Sequence, residues 1–101
     1  MTSYSFRLYV VGQTPRSLAA MSNLHVLCDT YLPGCHEIEV IDAAARPDLA
    51  EEERILATPT VIRIRPLPRS RVIGDLSDPD RVAAFLGLPG ADRSSSDGRT
   101  A

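Results

Sequence analysis

The sequence predicts one α/β domain with its elements in the order βαβαββα. Three observations carry that expectation. Two-residue apolar alternation at Phe6, Leu8 and Val10, and again at Ile38 and Val40, flanks a long segment with a three-to-four-residue apolar repeat. That strand, helix, strand order implies a parallel pair joined by a right-handed crossover. The stretch Ile55-Leu56-Ala57-Thr58-Pro59-Thr60-Val61-Ile62 joins an acidic helical segment to a β-branched run. Its proline fixes its own φ and pushes Thr58 toward extended geometry, which ends one element and begins the next. Finally, 101 residues, 44% of them apolar and 24% charged, suit a single core. A chain of that length is too short for two.

Taken in order, Phe6, Leu8 and Val10 alternate with Arg7, Tyr9 and Val11, a strand with apolar character on both faces, as an inner strand requires. Gly12-Gln13-Thr14 ends it. Thr14 then reads as an N-cap and Pro15 as the first helical residue. Leu18, Met21, Leu24, Leu27 or Cys28, and Tyr31 form the stripe of an amphipathic helix that stops at Pro33-Gly34. Residues 36–42 alternate again, with Glu37 and Glu39 facing out and Ile38 and Val40 facing in. After a connector at 43–46, Pro47 and the carboxylates that follow suit a helix start at 47–54. The apolar face of that helix, Leu49, Leu56 and Ala50, is thin, so it should be weakly held. Val61 to Arg65 reads as the third strand and Pro66-Leu67-Pro68-Arg69-Ser70 as the turn of a hairpin into Arg71-Val72-Ile73-Gly74. Ser77-Asp78-Pro79-Asp80 supplies a cap and early carboxylates for a short last helix, with Val82, Phe85 and Leu86 inward and Gly87 at its close. The domain is expected to span 1–88, with 89–101 a disordered tail that has little to bury.

A proline directly before the third strand of a βαβαββα chain is the arrangement of the thioredoxin fold, in which that proline, usually cis, lies beside the redox site. A Thr-Pro bond can be cis at a cost of only about 0.5–1 kcal/mol. Thioredoxin chemistry needs a thiolate at the N-terminus of the first helix, where the dipole lowers the thiol pKa. The matching stretch here, Gly12-Gln13-Thr14-Pro15-Arg16-Ser17, has no cysteine. Cys28 falls near the opposite end of that helix and Cys35 in the following loop, a spacing of neither a redox pair nor a zinc knuckle. Both read as small hydrophobes or reduced thiols.

His25 and His36 have no spaced ligand partners, and the chain holds no Ser-His-Asp set and no Gly-rich phosphate loop. The expectation is therefore a non-enzymatic binding protein without cofactor or metal. A net charge of −2 gives no general attraction to nucleic acid or to an anionic membrane. All eleven basic residues are Arg, which reflects codon usage more than a binding role. With no signal-like N-terminus and no apolar run of spanning length, a cytoplasmic location is expected. Two charged patches flank Pro59: Asp48, Glu51, Glu52 and Glu53 before it, and Arg63, Arg65, Arg69 and Arg71 after it. Each is either a solvated face that protects a sheet edge or a docking patch. Little aromatic interleaving argues against nucleic acid on the basic one.

Five runs carry a more specific signal. Leu8-Tyr9-Val10-Val11-Gly12-Gln13-Thr14-Pro15, Glu39-Val40-Ile41-Asp42, Leu49-Ala50-Glu51-Glu52, Ile55-Leu56-Ala57-Thr58-Pro59-Thr60 and Val72-Ile73-Gly74-Asp75-Leu76-Ser77 resemble, in order and spacing, the KaiB family of bacterial circadian clock proteins, over residues 6–88. The resemblance implies a non-enzymatic, metamorphic protein. Its resting packing would be βαββααβ, assembled as a homo-oligomer (a tetramer). A rarer monomer, thioredoxin-like βαβαββα, would bind the N-terminal ATPase ring of a KaiC-type ATPase and capture KaiA where that protein exists.

The first three elements are shared, and the chain from about Leu49 on changes structure. The resemblance assigns Glu51, Glu52, Glu53, Arg54, Ile55 and Leu56 to the KaiC-facing surface and Arg63 and Arg71 to a second partner, while the X-Pro bonds at Thr58-Pro59, Pro66 and Pro68 are the expected switch positions. The alternatives are a KaiB-like sensory domain of the kind fused to histidine kinases and a thioredoxin-like redox protein. Short elements of weak local preference, and a last segment that also reads at period two as Val82, Ala84, Leu86 and Leu88, make two packings physically reasonable. Exchange over seconds to minutes is expected if X-Pro isomers differ between them. Leu67, Phe85 and a nearly charge-balanced tail depart from the family pattern.

Overall fold

A strand that is apolar on both faces needs cover on both, and β1 (Tyr4–Val10) obtains it inside a four-stranded sheet. The computed structural model describes residues 3–91. The other strands are β2 (His36–Asp42), β3 (Thr60–Arg65) and β4 (Ser70–Ile73), in spatial order β2-β1-β3-β4. β1 runs parallel to β2 from Tyr4 opposite His36 to Val10 opposite Asp42. β1 with β3 and β3 with β4 are antiparallel. With α1 (Pro15–Tyr31), α2 (Pro47–Glu52) and α3 (Pro79–Phe85), the order is βαβαββα.

α1 begins as the sequence predicts: the Thr14 hydroxyl oxygen accepts from the Ser17 N–H at 3.1 Å, and Pro15 occupies the first turn. α1 and α3 cover one face of the sheet. There Ala20, Leu24, Leu27 and Cys28 meet Phe6, Leu8, Val10 and Val61, and Val82, Ala83, Leu86 and Leu88 complete the cluster. The opposite face holds a much smaller group, Tyr9, Ile41 and Ile62, with Leu49, Ile55 and Ile64 partly buried against it. α2 contributes no buried residue.

Four expected core positions lie elsewhere. Leu18 is exposed, since the inward stripe of α1 runs through Ser17, Ala20, Leu24, Leu27 and Cys28. Val40 is exposed and Ile41 buried: β2 is an edge strand, and the cover given by α1 and α3 reaches Ile38 but not Val40. Phe85 is exposed, with Ala83 taking the inward place beside Val82 and Leu86. Leu56 is 94% exposed. α2 ends at Glu52, and Arg54 at φ 55° turns the chain, so Ile55 packs inward in place of Leu56. Leu88 is buried and, within the expected tail, Ala91 packs against the larger core, while residues 92–101 of that tail lie outside the described residues. Among the described residues no helix is long and apolar enough to cross a membrane.

Candidate partner-binding surface

Two places in this fold can carry function: the position where a thioredoxin keeps its thiols, and the surface around α2. At the first, Val11, Thr14, Pro15, Arg16, Ser17, Thr58 and Pro59 line an open cavity of about 340 Å³. The Thr58-Pro59 bond is cis, as are Arg65-Pro66 and Leu67-Pro68. Hydroxyls occupy the helix start: Ser17 Oγ donates to the Val11 carbonyl at 3.2 Å, and Thr14 Oγ1 donates to Ser17 Oγ at 3.0 Å. No thiol is present there. Cys28 lies inside the core near the far end of α1, where burial, aided by the negative charge of Asp29, pushes its thiol up to about 12. Such a group stays protonated at neutral pH and does not attack disulfides.

At the second place the structure brings together what the sequence presents as two separate patches. Arg69 Nη2 donates to Glu53 Oε2 at 2.8 Å, and Arg71 Nη2 lies 3.9 Å from Glu53 Oε1. Arg71 also donates to two main-chain carbonyls past the end of α2, Glu53 at 2.9 Å and Arg54 at 3.4 Å. Glu53 and Arg71 thus engage each other. What remains exposed is Glu51, Glu52, Arg54 and Leu56, with Ile55 partly buried beneath them. At the start of α2, the Arg46 guanidinium holds the exposed Asp48 carboxyl below its ordinary range.

Arg63 corrects its expected role as a surface contact. It is 8% exposed, and its guanidinium donates at 2.6 Å to the carbonyls of Leu86 and of Pro68. It ties the end of α3 to the β3–β4 turn, and its Nε is buried without a partner. The tie explains Gly87 as well, since a Cβ there would sit 2.9 Å from Arg63 Nη1. In this packing Arg63 presents no charge to a partner. Sequence reading also missed a groove of about 420 Å³ beside β4 and α3. Exposed Ile73 and Phe85 line it, and Arg81 stands 5.6 Å from the Phe85 ring centre. The spacing of Phe85 from Val82 fits an inward stripe, which hides its outward position from a reading of the sequence.

A four-stranded sheet between helices, with a cis proline facing the start of α1 and no thiol there, defines a thioredoxin-fold domain without the thioredoxin dithiol. Yeast mitochondrial thioredoxin 3 superposes with a TM-score of 0.67 over 86% of this chain and 79% of its own, at 16% identity. The N-terminal domain of Synechococcus elongatus SasA gives 0.69 over 86% of each chain, at 24% identity. These two likenesses concern the fold. The KaiB domain model matches residues 7–88. The circadian clock oscillator protein KaiB of Prochlorococcus marinus strain MIT 9211 is 46% identical over 85% of this chain and 75% of its own. The protein of the same description from S. elongatus PCC 7942 is 44% identical over 85% and 84%. The chain belongs to the KaiB family.

Proposed function

We propose that this chain is a non-enzymatic timing adaptor that docks on the N-terminal ATPase ring of a KaiC-type protein through the α2 surface and so modulates the cycle of that ATPase. The observation that carries the reading is Leu56: a large apolar side chain left 94% exposed beside Glu51, Glu52 and Arg54. Burying such a side chain gains about 1.5–3 kcal/mol, and an apolar anchor inside a charged rim is how docking surfaces are built. Membership of a family whose matched relatives are clock oscillator proteins supports a clock component as the partner.

The βαβαββα packing is the docking-competent one in this reading, in exchange with an oligomeric βαββααβ form. Support comes from the second half of the chain, where α2 and α3 have six and seven residues. Helices below about 12–15 residues do not persist without tertiary partners. Thr58, Pro59, Pro66 and Pro68 stand at the joints of that half and are the proposed switch positions. The test is slow capture of the cognate KaiC-type ATPase in a pull-down with and without ATP. Absence of any complex after long incubation defeats the reading.

A further inference from the structure

α2 is short, buries no side chain, and is followed by Arg54 in the left-handed region, which a residue with a Cβ adopts only when its surroundings hold it there. Contacts from outside the helix add to its own closing hydrogen bonds at residues 53–55. Two cations of the β3–β4 hairpin make these contacts. Arg71, on edge strand β4, donates to the Glu53 and Arg54 carbonyls, which the end of α2 leaves open. Arg69, from the turn before β4, pairs with the Glu53 carboxylate, whose side chain is only 14% exposed. Ile55 anchors the same segment from below, its N–H donating to the Ala50 carbonyl at 2.9 Å.

We infer that Arg69, Glu53 and Arg71 form an intramolecular clasp that positions Leu56 for docking, so that Arg69 governs partner affinity without touching the partner. The inference rests on the α2 surface being the docking site. Its physical content is pre-organisation: a segment already held in its bound geometry loses less conformational freedom on association. Glu53 is thereby a positioning residue, distinct from its neighbours Glu51 and Glu52, whose carboxylates stay in solvent.

A neutral double-mutant cycle, Glu53→Gln, Arg69→Gln and the pair together, tests it. Thermal unfolding serves as the control for a retained fold. In the protein alone, each single variant is expected to lower amide protection at residues 53–57 roughly threefold to fivefold, the range of a partly exposed ion pair. The pair should be no worse than Glu53→Gln alone, because that variant already removes the Arg69 contact together with the weaker one to Arg71. Affinity for the KaiC-type ATPase should follow the same non-additive pattern.

Unchanged protection in the single variants overturns the clasp. So does an Arg69→Gln loss of affinity that persists in full on the Glu53→Gln background, since Arg69 would then contact the partner itself. If even the unmodified chain fails to bind the ATPase, the docking reading falls, and the protection cycle still decides the clasp by itself.

Discussion

On one face of the sheet, α1 and α3 bury Leu24, Leu27, Ala83 and Leu86 against Phe6, Leu8 and Val61. On the other, α2 lays Leu49, with Ile55 from just past its end, partly buried over Tyr9, Ile41 and Ile62. The first face is closed by apolar area and by the Arg63 tie between strand and helix. The second is closed at its margin by an ion pair and by hydrogen bonds to main-chain carbonyls. Burial scales with apolar area, whereas partly exposed ion pairs contribute little and are screened by salt. Stability is therefore concentrated on the α1/α3 face. The α2 face can present an apolar side chain such as Leu56 because the fold does not depend on it.

The contrast is best broken from the heavy side. Leu24→Ala should cost about 2–5 kcal/mol in urea unfolding, because it opens a cavity among fully buried neighbours. A loss below 1 kcal/mol would mean that the two faces share the load. Arg63→Met comes next. It strips the donors from the Leu86 and Pro68 carbonyls, and about 1–3 kcal/mol should be lost, with amide shifts concentrated at residues 86–88. On the light side, Ile55→Ala should cost about 1 kcal/mol and mainly raise hydrogen exchange in residues 49–56. Leu56→Ala should move stability by no more than about 0.5 kcal/mol, yet weaken capture of the KaiC-type ATPase about tenfold.

The pH response follows from the heavy face too. Cys28 has its thiol raised, so its contribution is complete below the ordinary thiol value and is lost as pH climbs toward 12. Iodoacetamide at pH 8 should leave Cys28 unmodified until the protein unfolds.

How far the sequence went is visible in single residues. The Thr14-Pro15 helix start and the two-faced character of β1 follow local rules, and both appear in the structure. The joint at Pro59, with a helix before it and a strand after it, is where the chain order places it. The inward choice between Ile55 and Leu56 was not legible, because it depends on the left-handed turn at Arg54, and an Arg gives no sign of such a conformation. Arg63 alternates with Arg65 like a pair on a solvated hairpin. Its burial depends on a carbonyl 23 residues away, which no local pattern contains. The same holds for Glu53, which stands in a run of three identical residues and is singled out by Arg69, 16 positions later, and by Arg71, 18 positions later.

The most direct test of this division of labour is amide hydrogen exchange on the protein alone and after capture by the KaiC-type ATPase. In the free protein, α1 and α3 should be the slowest of the helices to exchange and α2 the fastest. On binding, the largest gain of protection should fall in residues 49–57. A footprint centred instead on the Ile73 and Phe85 groove, with α2 unchanged, would contradict the assignment of stability to one face and docking to the other.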